Sequence, residues 1–192
     1  MVSGSSALPE RDMLQWNQIS GQVILERFGM TETGMVLSNT IESRRPGSVG
    51  VPLPGVKVLL MDPDTLQVIR QQNTPGELLV TGESLFSHYL NLPDATESSF
   101  ITIENQKYFK TGDFAVQEHD TYRLLGRLSQ DIIKKQGHKL SALEIEGQIM
   151  EGPQTEQVAV VGIDCPKQGQ ELCAFIVIKQ GFTLEQVKDY CL

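Results

Sequence analysis

From Val23 to Gly126 the apolar residues come in short runs, each closed by turn-forming residues, and that rhythm admits short strands rather than long helices. Val23-Ile24-Leu25 reads as one strand, and Phe28 to Glu32 as the loop after it. Residues 38–55 are rich in Pro and Gly and form an ordered, turn-rich segment. Val56 to Met61 is a strand, Asp62-Pro63-Asp64 a turn, and Gly76 to Thr81 another strand. Ser84 to Leu90 is expected to be a short helix. Lys107 to Gly126 reads as a β-meander: Tyr108 to Lys110, Phe114 to Gln117, a His119-Asp120 turn, then Tyr122 to Leu125. One helix precedes all this. Pro9 opens it, Met13, Trp16 and Ile19 share a face, and Gly21 stops it after Ser20.

After Arg127 the character changes. Ile132 to Lys135 and His138 to Leu140 predict a hairpin around Gln136-Gly137. Ser141 then caps a helix to Met150, with Glu144 three residues on. Gln157 to Ile163 and Leu172 to Lys179 are strands, and Thr183 caps a last helix. The order ββαββα implies a small α/β unit, and the boundary falls near Gly126–Gln130. The fold class is mixed α/β.

Composition narrows the function. The net charge of −8 excludes a phosphate-backbone binder, which needs clustered Lys and Arg, so no nucleic-acid partner is expected. A small anionic ligand held by local basic residues stays possible. Cys165, Cys173 and Cys191 are odd in number and scattered. They read as reduced, buried thiols and not as a zinc site. No run reaches the about 18 apolar residues of a membrane span, and no secretory signal is visible.

Neither a Walker phosphate loop nor a dinucleotide-binding Gly triplet occurs. Four other motifs appear in series: Phe28-Gly29-Met30-Thr31-Glu32; Gly76-Glu77-Leu78 with Gly82 and Tyr89-Leu90; Tyr108-Phe109-Lys110-Thr111-Gly112-Asp113; and Gly126-Arg127 with Ile133-Lys134, Gly137-His138-Lys139 and Glu144-Ile145-Glu146. Singly each is weak. In this order they resemble the acyl-adenylate-forming superfamily, and within it the acid–CoA ligases. Glu26-Arg27-Phe28-Gly29-Met30-Thr31-Glu32-Thr33, Leu37-Ser38-Asn39, Arg44 to Gly50, Asp131 to Lys134 and Lys139 to Glu144 are similar to malonyl-CoA synthetases.

The resemblance implies an architecture. Residues 1–126 would be the end of a large AMP-binding N-terminal domain with a barrel-like, β-rich subdomain. Residues 127–131 would be a hinge, and 132–192 an incomplete α+β C-terminal domain. It also implies a reaction. ATP and a carboxylic acid give an acyl-adenylate, and coenzyme A then displaces AMP, with Mg²⁺ as cofactor. The acid is expected to be malonate or a related short dicarboxylate. Alternatives are a fatty-acyl or aryl-acid activating member, or a catalytically inactive truncated product. The full-length parent is expected to be a monomer in mitochondria or cytoplasm.

Roles follow residue by residue, each beside a plainer one. Glu32 is a hard oxygen ligand suited to Mg²⁺; alone it would be a helix cap or surface carboxylate. Thr31 offers a hydroxyl to the α-phosphate, or else to its own turn. Phe28 lies against adenine, or packs in the core, and Gly29 belongs to the same loop. Ser5, within Ser3 to Ala7, resembles the adenine-lining loop, or is a frayed end. Asp113 accepts from both ribose hydroxyls, or caps a hairpin. Arg127 donates to ribose or phosphate, or forms a surface ion pair. Ser129, Gln130 and Asp131 supply the swivel. Lys134, Gly137 and His138 resemble the element that swings in for thioester formation, with glycine allowing close approach of the pantetheine arm. Met30 and one of Arg44 and Arg45 are substrate-side candidates, because a second carboxylate needs a counter-charge; a surface turn explains the arginines equally well. His88 and His119 receive no role.

The family's Lys-containing phosphate loop is expected before Met1 and its adenylation Lys beyond Leu192. Residues 1–192 alone are therefore expected not to make acyl-CoA. A pyrophosphate-release assay with malonate, ATP, Mg²⁺ and CoA checks this; robust turnover would refute it.

Overall fold

Tyr122 joins two sheets. Its N–H donates to Gly50 O at 2.9 Å, and its carbonyl accepts from Val49 N–H at 2.9 Å. The computed structural model in which this is seen describes residues 1–6 and 8–190; Ala7, Cys191 and Leu192, and the expectations placed on them, lie outside the described residues. The chain divides into two compact units, one of Met1–Leu8 with Asp12–Leu124, the other of Pro9–Arg11 with the residues from Leu125 on.

The first unit contains β1 (Val2–Ser3), most of α1 (Glu10–Ser20), β2 (Leu25–Met30), β3 (Gly34–Ser38), β4 (Val51–Pro52), β5 (Val56–Met61), β6 (Val68–Ile69), β7 (Gly76–Gly82), α2 (Pro93–Ser98), β8 (Phe100–Ile103) and β9 (Gln106–Glu118). It also holds the start of β10 (Thr121–Arg127). One sheet has the order β1-β2-β3-β4. The other runs β10-β9-β7-β5-β6, with β8 on the flank of β9. The Tyr122 bonds stitch the β4 end of the first to the β10 edge of the second, so the strands curl into a barrel-like layer. Its inside is apolar and drawn from both sheets: Phe28, Val36, Leu37, Val49, Leu60, Leu78, Val80, Ala115 and Tyr122. Each fully buried aliphatic side chain here contributes about 1.5–3 kcal/mol.

The stitch requires glycine at position 50. Its φ is +85°, and a Cβ there would lie 2.0 Å from Ser38 O. A polar network fills the space beside it. Asn39 Nδ2 donates to Glu26 O (3.2 Å) and Ser48 O (2.5 Å), Gly50 N–H donates to Ser48 Oγ (3.1 Å), and Ser48 Oγ donates to Tyr122 O (3.2 Å). Glu26 is 6 % exposed. Burial pushes its carboxyl from 4.5 to about 7, although Gly47 N–H pulls the other way.

Four expectations need correction. Val23 and Ile24 precede the strand, which begins at Leu25, and Phe28 to Met30 are strand, not loop. Cross-strand pairing of Phe28 with Leu37 and Met30 with Gly34 carries β2 through the glycine, and only the three residues after Met30 turn. Ser84 to Leu90 is not helical. Ser84 Oγ donates to Thr33 O (2.6 Å) and Phe86 N–H to Glu32 O (2.8 Å), and these bonds hold the segment open; the helix starts later, with Pro93 in its first turn. The segments Tyr108 to Lys110 and Phe114 to Gln117 are one long strand, β9, with an irregularity between them. In α1 the stripe is narrower than expected, since Met13 is buried but Ile19 is 75 % exposed.

The second unit continues with β11 (Ile132–Lys135), β12 (His138–Ser141), α3 (Ala142–Glu151), β13 (Thr155–Cys165), β14 (Gly169–Ile178) and α4 (Leu184–Tyr190). The sheet order is β12-β11-β14-β13. Gln136 and Gly137 both have positive φ, 50° and 83°, the backbone of a tight two-residue hairpin turn. Ser141 Oγ accepts from Glu144 N–H at 3.1 Å and donates to Leu125 O at 2.5 Å, which fixes where α3 begins. Thr183 Oγ1 accepts from Gln186 N–H while Gln186 Oε1 accepts from Thr183 N–H, a reciprocal cap for α4. Inward residues Ile133, Ala142, Ile149, Val160 and Val187 form its core. Cys165 and Cys173 are free thiols, each only partly buried.

Two outcomes follow. Ser141→Ala removes a cap and a buried donor and should cost about 1–2 kcal/mol, read by urea unfolding. Between about pH 4.5 and 7 the folded chain holds the Glu26 proton that the unfolded chain has released, so this group's contribution to stability falls as pH rises. Glu26→Gln should flatten that decline between about pH 4.5 and 7. An equal slope in variant and parent would show that Glu26 is not its source.

Candidate functional site

The tip of the β2–β3 hairpin is the turn Thr31-Glu32-Thr33, closed by Thr33 N–H donating to Met30 O at 3.2 Å. Gly29 is obligatory beneath it, because a Cβ there would stand 2.3 Å from Gly34 O. Thr33 is fully buried, Glu32 half-buried and Thr31 exposed. Thr31 is therefore open to solvent while Thr33 anchors the turn. Phe28, 8 % exposed, packs into the apolar cluster, and Met30 packs against the same cluster.

The Glu32 carboxylate is not loose. Tyr89 Oη donates to its Oε1 at 3.0 Å. Burial, and then the Glu32 carboxylate, push the Tyr89 phenol up, which keeps it protonated and a donor. Tyr89 itself is braced by rings. Phe86 lies 4.6 Å from it, 5.4 Å from Phe100 and 5.3 Å from Phe109, centroid to centroid. Phe109 belongs to β9, the strand that also carries Asp113. With one oxygen fixed by Tyr89, the carboxylate has lone pairs left for a divalent cation. Among the described residues no group of three or more His, Cys, Asp or Glu could hold a metal on its own. A single carboxylate suits Mg²⁺ shared with substrate phosphates, and in that sense Glu32 fits.

Asp113 is 7 % exposed, at the irregularity of β9. Its N–H donates to Thr111 Oγ1 at 3.0 Å, Thr111 Oγ1 donates to Leu78 O at 2.8 Å, and Gly112 N–H donates to Glu77 Oε1 at 3.2 Å. Ser5 stands just past β1, which pairs in parallel with the start of β2, Ser3 beside Glu26. Gly4 is pressed against the Arg27 carbonyl, where a Cβ would come within 3.1 Å. Ser5 and Phe28 to Glu32 thus lie at the β1–β4 sheet of the first unit, and Asp113 on β9 of its other sheet. The arginine pair splits: Arg44 Nη1 donates to Val23 O, and Arg45 is exposed.

In the second unit Arg127 is exposed and begins a tight turn. Gln130 and Asp131 N–H donate to Arg127 O at 3.2 and 2.8 Å, and Arg127 N–H donates to Asp131 Oδ2 at 2.7 Å. Ser129 and Gln130 ride exposed on this turn. Gly126 has φ +126°, and a Cβ there would meet Asp131 Cβ at 2.5 Å. Lys134 pairs with Lys139 across the β11–β12 hairpin, and its N–H donates to Gln170 Oε1 at 2.8 Å. Gly137 and His138 are exposed at the hairpin end, and a Cβ at Gly137 would meet open space.

Sequence reasoning gave no role to Glu77, Ser84 or Tyr89, although Glu77 and Tyr89 lie inside a quoted motif. Nothing in their spacing says that they hold the Thr111–Asp113 stretch and the Thr31–Thr33 turn, since each acts across 35 or more positions of chain.

Residues 1–90 match the AMP-binding enzyme family, and residues 144–191 match the AMP-binding enzyme C-terminal domain. The mitochondrial malonate–CoA ligase of Mus musculus is 41 % identical over 96 % of this chain and 34 % of its own length. The malonate–CoA ligase of Arabidopsis thaliana is 44 % identical over 92 % of this chain and 28 % of its own length. The crystal structure of ATP-bound MatB from Rhodopseudomonas palustris matches with a TM-score of 0.88 and 32 % identity, over 98 % of this chain and 37 % of that one. The chain spans about a third of the length of these relatives. It belongs to the AMP-binding enzyme family.

Proposed function

We propose that these residues are part of an ATP-dependent acid–CoA ligase that activates malonate or a related short dicarboxylate through an acyl-adenylate. The observation that carries this reading is the identity of 41–44 % to malonate–CoA ligases across nearly the whole chain. The site supports it. The exposed Thr31 hydroxyl is a donor for the α-phosphate at the moment it is attacked. Asp113, a carboxylate on a braced strand, accepts from the two ribose hydroxyls. Ser5, Phe28 and Gly29 bound the adenine side, and Met30 borders the acid. Arg127 adds a charged fork toward ribose or phosphate. Mg²⁺ bound at Glu32 would neutralise phosphate charge.

Adenylation and thioester formation need different neighbours around one reacting carbon, which favours a jointed chain. We read residues 1–126 as the adenylate-holding part, 127–131 as the hinge and 132–192 as the moving part. The Arg127–Asp131 turn, closed by local bonds and tied at Asp131 O to Ala142 N–H at 2.8 Å, is where we place the change in φ and ψ. Lys134, Gly137 and His138 lie on a hairpin whose tip admits close approach by the pantetheine arm. Arg44 and Arg45 are the counter-charge candidates for the second carboxylate. Among the described residues no helix is long and apolar enough to cross a membrane, and the mammalian relatives are named as mitochondrial. We read the ligase as mitochondrial or cytoplasmic, the first of these on the names of those relatives.

A chimera tests the proposal. Residues 1–190 of this chain replace the matching residues of a bacterial malonyl-CoA synthetase, and malonyl-CoA formation is followed. The chimera should turn over malonate, and Glu32→Gln within it should lower kcat by about 100-fold or more, the scale of losing one electrostatic stabiliser of the reacting phosphate. A folded chimera that binds ATP but does not use malonate would overturn the substrate; an undiminished Glu32→Gln would overturn its role.

A further inference from the structure

Glu77 has no part in the reaction as read above, yet it is 8 % exposed in a strand whose side chains are buried from Gly76 to Thr81. A carboxyl is a costly occupant of such a position, and an apolar side chain would fill it freely. Burial raises its pKa, while Gly112 N–H and the Lys110 ammonium draw it down. What it touches lies on β9. Leu79 pairs with Lys110, and Glu77 pairs with Phe114. Between those pairs β7 has only Leu78, while β9 has Thr111, Gly112 and Asp113, two residues in excess.

Residues extruded from a ladder lose their ladder partners and must find others. Here three bonds replace them. Thr111 Oγ1 reaches Leu78 O, Asp113 N–H reaches Thr111 Oγ1, and Gly112 N–H reaches Glu77 Oε1. Gly112 has φ +73°, which suits glycine. Glu77 is the one side chain of the neighbouring strand that reaches across to the main chain of this bulge in these bonds. The N–H it accepts belongs to the residue just before Asp113.

We propose that Glu77 is a positioning residue: from β7 it clamps the Thr111–Asp113 bulge and so fixes the direction in which Asp113 offers its carboxylate to the ribose hydroxyls of the nucleotide. This rests on the reading of Asp113 as the ribose acceptor. The clamp needs an acceptor oxygen at the right reach, and it needs no net charge. Gln at position 77 keeps the oxygen. Asp keeps the charge but falls one methylene short. Leu keeps the volume and has no acceptor.

Calorimetric titration of the 192-residue chain with AMP and with 2′,3′-dideoxy-AMP separates positioning from general support. Wild type should favour AMP by about tenfold, the scale of hydrogen bonds to a charged group, and Glu77→Gln should keep that preference. Glu77→Leu and Glu77→Asp should shrink it below about threefold while leaving the dideoxy affinity in place. A merely structural role would weaken both nucleotides alike and keep the ratio. If Glu77→Leu does not fold, Glu77→Asp carries the same comparison. Full preference in a folded Glu77→Leu or Glu77→Asp overturns the clamp, provided Asp113→Asn abolishes it. If wild type shows no preference, or Asp113→Asn retains it, the ribose reading itself is what fails, and the clamp has no function to serve.

Discussion

The first unit depends on a junction where ladder pairing runs out. A four-stranded sheet ends near Gly50, a second sheet begins at β10, and two main-chain bonds to Tyr122 join them. The remaining donors and acceptors are served by side chains: Asn39 spans the Glu26 and Ser48 carbonyls, and Ser48 relays Gly50 N–H to the Tyr122 carbonyl. Removing one member leaves the others buried and unsatisfied, and that loss exceeds the worth of a single bond. The apolar cluster behind it takes residues from both sheets, so it exists only while the junction holds. The raised pKa of Glu26 belongs to the same arrangement. Burial holds the carboxyl up, while the Gly47 N–H beside it pulls down.

Two functional elements of the proposed ligase rest on this frame by the same device. A short irregular segment is aimed by a partner far along the chain. The Thr31–Thr33 turn is held by Ser84, Phe86 and Tyr89. The β9 bulge is held by Glu77 and the Leu78 carbonyl. The rings of Phe86, Phe100 and Phe109 connect the two braces, since Phe86 adjoins Tyr89 while Phe109 lies four residues before Asp113 on β9. Rigid aromatic packing of this kind carries position across the unit better than flexible aliphatic chains would.

What the sequence disclosed follows from the range of the forces involved. Ser141 and Thr183 were readable as caps because a cap is complete within four residues. The Gln136-Gly137 hairpin was readable because its turn and its alternation are adjacent. Val56 to Met61 and Gly76 to Thr81 announced themselves by β-branched and apolar runs between breakers. Ser84 to Leu90 misled because its local pattern admits a helix while its partners are at Glu32 and Thr33. Phe28 to Met30 misled because the glycine there is demanded by a crossing carbonyl, not by a loop. Of the candidate site, the residues that carry chemistry stood in recognisable motifs. Those that aim them, Glu77 and Tyr89, stood in the same motifs with no visible purpose, because their purpose is a contact with another strand.

The excess of two residues in β9 has a further meaning, one of parity. Side chains in a strand alternate between faces, so an insertion of one residue turns everything after it to the opposite side. An insertion of two restores the phase. Lys110 and Phe114 consequently stay on the face of Leu79 and Glu77, and Ala115 remains with Leu78 and Val80 in the core. The strand can thus carry an irregular segment in its middle and still bury its correct face at both ends. Chain length in this stretch is therefore quantised: pairs of residues can be gained or lost here without rebuilding the core, whereas a single one would turn the strand inside out.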